Sequence, residues 1–125
     1  YWLSVDYPYL MNMAKVISIG KAKPENDEDY HAMTIHTKGV EDEMLDYQNH
    51  AKKNNLSLKD ISNPKSTGPI KYSYTRHQLS SEYSGDMGDL QASLLSCMWS
   101  YQNLASAMKK YYVKKNNPLL NIFYK

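Results

Sequence analysis

The residues best suited to metal chemistry are histidines close to a run of carboxylates. His31 and His36 follow the acidic residues 27–29, and imidazole with carboxylate is a common ligand set for zinc. Alternation predicts a β-strand over residues 30–37, which contains both histidines. In a strand, residues five positions apart point to opposite faces, so these two rings do not share a metal ion. The sequence also contains neither an HExxH motif nor an EF-hand loop. We therefore predict no metal site and no cofactor.

Nucleophilic catalysis would need an activated serine or cysteine. There is no GxSxG motif, and Cys97, the one cysteine, lies among apolar residues of a predicted helix. Asp86 and Asp89 flank the glycines at the start of that helix, where they would repel a phosphate and are better suited to capping. We predict no catalytic residue and no enzyme activity. An enzyme with a site assembled from distant residues is the third alternative, with candidates His31, His77, Glu82 and Asp86.

Tyrosine is the most unusual feature of the composition, with 12 residues in 125. Aromatic side chains are enriched where one end is dry and the other wet, as at protein interfaces. They cluster near both ends of the chain, and the second cluster is interleaved with lysines. The predicted partner-binding residues are Trp2, Tyr7, Tyr9, Lys109, Lys110, Tyr111, Tyr112, Lys114 and Lys115.

Charge is segregated along the chain although the net charge is only +2. Residues 24–46 are acidic, whereas residues 47–77 and 90–125 are basic, and opposed charged faces steer partners towards each other. The basic residues Lys71 and Arg76 are interleaved with Tyr72 and Tyr74, a pattern that could stack unpaired bases. Nucleic-acid binding through the lysine-rich segments 52–77 and 109–115 is therefore the alternative to protein binding. Its candidate contacts outside the last helix are Lys52, Lys53, Lys71 and Arg76.

Length and composition predict one domain, residues 1–125. Because the first residue is Tyr1, excision from a larger chain is kept as an alternative. No apolar stretch is long enough to span a membrane. A lone cysteine cannot form an intrachain disulfide, which slightly favours a reducing, cytoplasmic compartment. The oligomeric state stays open.

Hydrophobic periodicity predicts the elements that must position these residues. Helical spacing indicates helices over residues 8–19, 40–53 and about 90–112, the last being the strongest signal. Residues 21–29 read as a solvated loop, and alternation indicates strands over 30–37 and 70–77. We predict an α+β fold, in which a small antiparallel sheet packs against a long C-terminal helix and one or two shorter helices. A mostly helical bundle, with both strands replaced by extended loops, is the alternative.

These observations together favour a non-catalytic protein-binding domain. Such a domain would be an inhibitor, immunity or adaptor module, or the soluble part of a larger assembly component. The expected partner is another protein, with nucleic acid as the alternative. A salt titration distinguishes the two, because phosphate contacts make affinity fall steeply with salt.

Overall fold

The structure is a computed structural model that describes residues 1–112, with side chains described up to residue 109. All regular elements of this part of the chain are helical. They are α1 (Trp2–Gly20), α2 (Asp27–Lys53), α3 (Leu58–Ile61), a 3-10 turn (Pro64–Thr67), α4 (Gly68–Ser84) and α5 (Met87–Tyr112).

The α+β prediction is wrong, because residues 1–112 contain no strand and both predicted strands are helical. Segment 30–37 lies in α2, and segment 70–77 lies in α4. The predicted loop over residues 21–29 is shorter than expected, because α2 already begins at Asp27. Asn26 caps this helix by accepting a hydrogen bond from the backbone N–H of Asp29 at 2.9 Å. Carboxylates in a first turn are stabilised by the helix dipole. The helical alternative describes the architecture better, although it expected loops where the structure has helices.

Helix α1 is the central element of the N-terminal region. It packs against α2, α3, α4 and the 3-10 turn, and it buries Leu10, Val16 and Ile17 at helical spacing. The predicted helix over 8–19 is confirmed, and it extends N-terminally to Trp2 with Pro8 inside it. Each fully buried aliphatic side chain stabilises the fold by roughly 1.5–3 kcal/mol. This packing holds the inward-facing side chains of α1 in fixed positions against α2 and α4.

The chain divides into two compact units, Tyr1–Leu90 and Gln91–Lys125. Helix α5 begins in the first unit, and the predicted long C-terminal helix is confirmed. Its start is capped reciprocally: Asp89 N–H donates to Asp86 Oδ1 at 3.0 Å, and Asp86 N–H donates to Asp89 Oδ2 at 3.1 Å. The prediction of one domain over 1–125 stays a prediction. None of the helices in residues 1–112 is long and apolar enough to cross a membrane.

Candidate functional site

Asp6 is a buried carboxylate on α1, with only 3% of its surface exposed. The Tyr47 hydroxyl on α2 donates a hydrogen bond to its Oδ2 at 2.8 Å. The Lys71 ammonium on α4 contacts its Oδ1. Burying a charge is costly unless it is paired and hydrogen-bonded, and both oxygens of Asp6 meet that condition.

Aromatic rings lie next to the lysine that contacts this carboxylate. Tyr9 lies one helical turn after Asp6 and stacks on Tyr74 of α4, with ring centroids 6.0 Å apart and planes 17° from parallel. The Lys71 ammonium lies 5.7 Å from the centroid of the Tyr9 ring, within cation–π range. We call Asp6, Tyr9, Tyr47, Lys71 and Tyr74 the acidic-aromatic cluster.

Helical spacing explains why the cluster forms. Residues three or four positions apart lie on the same face of a helix. Helix α1 contributes Asp6 and Tyr9 in this way, and α4 contributes Lys71 and Tyr74. Helix α2 contributes Tyr47, and the Trp2 ring packs against it at a centroid distance of 5.2 Å. Three helices therefore meet at Asp6.

A second carboxylate feels the charge of Asp6. Desolvation raises the pKa of Glu43, and the charges of Asp6 and Asp46 raise it further. Glu43 lies one turn before Tyr47 on α2. The site therefore contains, beside Asp6, a carboxylate that takes up a proton more readily than usual.

This arrangement offers two kinds of contact. A carboxylate accepts hydrogen bonds from N–H groups, and tyrosine rings offer flat apolar faces. A ligand that combines an N–H donor with a flat face would match both, so the cluster is a candidate binding site.

Glu82, on α4, is a second buried carboxylate with a different environment. It is fully buried, and burial raises its pKa against the opposing attraction of Lys23. The Lys23 ammonium lies 3.4 Å from Glu82 Oε1, but it donates to the backbone carbonyls of Glu82 and, at 2.7 Å, of Gly85. Lys23 thus binds the C-terminal carbonyls of α4, where a cation is favourable.

An open cleft of about 610 Å³ lies beside Lys23. Its lining includes the acidic side chains Glu25, Asp29 and Asp86, together with Tyr83. Asp86 is engaged in capping α5. Within residues 1–109 no group of three or more histidine, cysteine or acidic residues is arranged to hold a metal ion.

The predicted partner-binding residues are placed as follows. Tyr7 and Tyr9 are buried in the first unit, and the Tyr7 hydroxyl accepts a hydrogen bond from Gln48 Nε2 at 2.8 Å. Trp2 is half-buried against Tyr47, and Lys109 is exposed on α5. The backbone of Lys110, Tyr111 and Tyr112 ends α5, whereas Lys114 and Lys115 lie outside the described residues. Partner binding by this set stays a prediction.

Two of the residues proposed for nucleic-acid binding have internal contacts. Lys71 contacts Asp6, and Arg76 Nη2 donates to Asn12 Oδ1 at 3.0 Å while its guanidinium lies 5.1 Å from the Tyr72 ring centroid. Lys52 and Lys53 are exposed in the last turn of α2. These positions are explained by side-chain pairing and by the helix dipole.

The sequence analysis missed Asp6 and Tyr47, and it read Lys71 and Tyr74 only as a base-stacking strand. One signal was present: Asp6 is an acidic residue next to the apolar face of α1. Of the residues considered for an assembled enzyme site, His31 and His77 are exposed, whereas Glu82 is buried. The signal that could have located the site is therefore Asp6, a single acidic residue among the apolar residues of α1.

Comparison with known proteins gives a family and two relatives. The TENA/THI-4/PQQC family matches residues 1–123. The aminopyrimidine aminohydrolase of Bacillus subtilis (strain 168) is 31% identical over 109 residues, which cover 86% of this chain and 46% of that protein. The aminopyrimidine aminohydrolase of Helicobacter pylori is 26% identical over 114 residues, covering 88% and 51%. The chain thus spans about half the length of the curated relatives it matches. No solved structure matches it.

These matches correct the functional predictions. Both relatives are hydrolases by name and match most of the chain, so the prediction of a non-catalytic protein-binding domain is wrong. The prediction that the protein is not an enzyme is wrong for the same reason. The alternative function, a nucleic-acid-binding domain, is wrong as well. The absence of a recognisable catalytic motif misled the sequence analysis, because the polar residues of the cluster come from three separate helices.

Proposed function

The chain belongs to the TENA/THI-4/PQQC family, and we propose that it forms the aminopyrimidine-binding part of an aminohydrolase. The observation that carries this proposal is Asp6, a buried carboxylate on α1 whose partners are the Tyr47 hydroxyl from α2 and the Lys71 ammonium from α4. The stacked rings of Tyr9 and Tyr74 lie next to Lys71. The names of the two relatives indicate the ligand class, an aminopyrimidine, and the class of reaction.

The cluster can recognise such a ring through two kinds of contact. Asp6 accepts a hydrogen bond from the exocyclic amino group, and hydrogen bonds to a charged group contribute about 1.5–3 kcal/mol. Tyr9 and Tyr74 present ring faces and edges against which a flat heterocycle packs. Tyr47 holds the carboxylate in place through its hydroxyl, so that the acceptor is oriented before the ligand arrives.

An aminohydrolase breaks a carbon–nitrogen bond with water: the water oxygen bonds to that carbon, one water proton passes to the leaving amino group, and ammonia departs. In this chain, Asp6 is positioned to orient the amino group by accepting its N–H. Glu43 is an exposed carboxylate whose pKa is raised near Asp6 and Asp46, and it is the neighbouring candidate for carrying a proton. Because the chain spans about half of its relatives, binding is the step that we assign to the described residues.

A binding titration tests this proposal. The probe is 4-aminopyrimidine, with pyrimidine as the ligand that lacks the amino group, and both are titrated by calorimetry with ammonia release followed in parallel. We expect 4-aminopyrimidine to bind more tightly than pyrimidine. We expect Asp6→Asn to weaken that binding by roughly 10- to 100-fold, the factor that corresponds to about 1.5–3 kcal/mol.

Asp42→Asn is the matched control, because Asp42 is an exposed aspartate on α2 and its replacement should leave the affinity unchanged. The proposal is contradicted if 4-aminopyrimidine does not bind, if both probes bind equally, or if Asp42→Asn weakens binding as much as Asp6→Asn.

A further inference from the structure

Both oxygens of the Asp6 carboxylate are occupied by side chains of the protein itself. Tyr47 donates to Oδ2 at 2.8 Å, and the Lys71 ammonium contacts Oδ1. The Tyr47 ring is fully buried, so its hydroxyl is a fixed partner. Lys71 differs, because 32% of its side chain is exposed whereas the Asp6 side chain is 4% exposed. The partner at Oδ1 is therefore the one that can leave.

We propose that Lys71 is an internal counter-ion that occupies the ligand's position at Asp6 and is displaced when the aminopyrimidine binds. This inference rests on the proposed function, since it concerns the same site. In the unliganded protein Lys71 neutralises a buried carboxylate that would otherwise be costly to bury. In the bound protein the N–H groups of the ligand replace the ammonium at Oδ1.

The position of Lys71 allows its ammonium to move into solvent. It lies in the first turn of α4, and its four-carbon stem is flexible and ends in a strongly hydrated ammonium. Its partial exposure lets the ammonium reach water without movement of the backbone.

Displacement has a consequence for specificity. Once Lys71 leaves, Asp6 needs a new hydrogen-bond donor. The nearby Glu43 is also an acid and cannot replace the positive charge of Lys71. A ligand with an amino group can supply that donor, whereas a ring with acceptors only cannot. Lys71 thereby acts as a specificity-determining residue, because a ligand must offer a better contact than the ammonium does.

The first test compares two substitutions at Lys71. Lys71→Met keeps most of the apolar stem and removes the ammonium, whereas Lys71→Arg keeps the positive charge. A partly exposed ion pair contributes up to about 1 kcal/mol, so removing this competitor should tighten 4-aminopyrimidine binding by about fivefold. Pyrimidine affinity should not change, and Lys71→Arg should not tighten binding. Unchanged or weaker binding of 4-aminopyrimidine by a folded Lys71→Met protein would overturn the proposal.

The second test needs no substitution at Lys71 and remains informative if Lys71→Met does not fold. Acetic anhydride labels accessible lysines, and mass spectrometry gives the labelling of Lys71 relative to Lys59, an exposed lysine on α3. Saturating 4-aminopyrimidine should increase Lys71 labelling and leave Lys59 unchanged. Equal or reduced labelling of Lys71 at saturation would overturn displacement.

Different results would overturn the displacement of Lys71 and the proposed function. If 4-aminopyrimidine binds the unsubstituted protein but neither test shows release of Lys71, only the counter-ion role is overturned. If it binds neither the unsubstituted protein nor Lys71→Met, the proposed function is overturned. Asp6→Asn then still tests the pairing: it should raise Lys71 labelling without any ligand, and no increase would remove the counter-ion role as well.

Discussion

Two buried carboxylates, Asp6 and Glu82, each face a single lysine, yet the two regions differ in how that lysine is engaged. Lys71 contacts the Asp6 carboxylate directly, and Tyr47 donates to the other oxygen. Lys23 donates to backbone carbonyls and lies 3.4 Å from Glu82 Oε1, and neither Glu82 oxygen has a hydrogen-bond partner with good geometry in the described part of the chain. Asp6 lies among polar partners, whereas Glu82 lies against packed apolar groups.

The difference teaches that burial of a carboxylate does not by itself mark a binding site. The region around Asp6 has flat rings and a lysine partner whose side chain is partly exposed, which are properties expected of a site that accepts a ligand. The Glu82 carboxylate packs close to Gly20, Met33 and Leu90, and its lysine stabilises the end of α4. We therefore expect substitutions near Glu82 to change mainly stability, and substitutions near Asp6 to change binding as well.

The largest effect on stability should come from Lys23→Met. Removing one partner of a buried ion pair costs roughly 3–5 kcal/mol, and the 22% exposure of Lys23 places the expected loss near the lower value of about 3 kcal/mol. The loss should shrink as pH falls and Glu82 becomes protonated. Urea denaturation at pH 8 and pH 5 measures both effects. Lys21→Met, at an exposed lysine two residues earlier, should cost little, and an equal loss would refute the pairing.

Gly20→Ala should have the next largest effect. An added Cβ would lie 2.5 Å from Leu90 Cδ2 and 2.9 Å from Met33 Cε, and overpacking of a core costs about 1–3 kcal/mol. The matched control is Gly39→Ala on α2, where a Cβ meets nothing within 4 Å. Alanine should stabilise that helix by about 0.5–1 kcal/mol. Thermal unfolding of both variants should show opposite signs, and a stabilised Gly20→Ala would contradict the close packing around Glu82.

Tyr47→Phe tests the Asp6 region and should cost about 1.5 kcal/mol, because it leaves one oxygen of a buried carboxylate without its donor. Tyr30→Phe is the control, since Tyr30 lies on the same helix and is 64% exposed. Urea denaturation should separate the two variants. If they unfold at the same urea concentration, Tyr47 does not stabilise Asp6.

The smallest effect is a change in pH dependence on substitution of Glu82 by Gln. Because burial raises the folded-state pKa of Glu82 above its ordinary value of 4.5, the folded state binds this proton more tightly than the unfolded state. The contribution of Glu82 to the free energy of unfolding is then greatest at low pH and is lost as pH rises through the folded-state pKa of Glu82. The unsubstituted protein should therefore lose free energy of unfolding relative to Glu82→Gln between pH 4.5 and pH 8. Parallel curves for the two proteins would show that Glu82 does not titrate in this range.

The same contrast explains what the sequence could predict. Helices α1 and α5 were predicted because their buried residues, such as Leu10, Val16 and Leu90, are apolar and recur at helical spacing. Helix α4 was misread as a strand because Thr75, Gln78 and Glu82 fill its buried positions, so hydrophobicity does not mark them.

Exposed apolar residues added to the error. Ile70 and Tyr72 on α4 are 84% and 58% exposed, and together with Tyr74 they gave segment 70–77 its false alternation. The candidate site escaped prediction for a related reason. Its residues come from three helices, and only the folded structure shows that Asp6, Tyr47 and Lys71 meet. Hydrophobic periodicity reports burial of apolar groups, not convergence of polar ones.

The packing of Trp2 on Tyr47 gives the protein a built-in optical reporter. The chain has two tryptophans: Trp2 lies 5.2 Å from the ring that holds Asp6, whereas Trp99 on α5 is 65% exposed. Indole emission depends on the polarity and motion of the surroundings, so a ligand that rearranges Asp6 and Tyr47 should alter the Trp2 signal while Trp99 supplies a solvent-like background. With Trp99 replaced by Phe, the intrinsic fluorescence of the chain would report occupancy of the site without any attached dye.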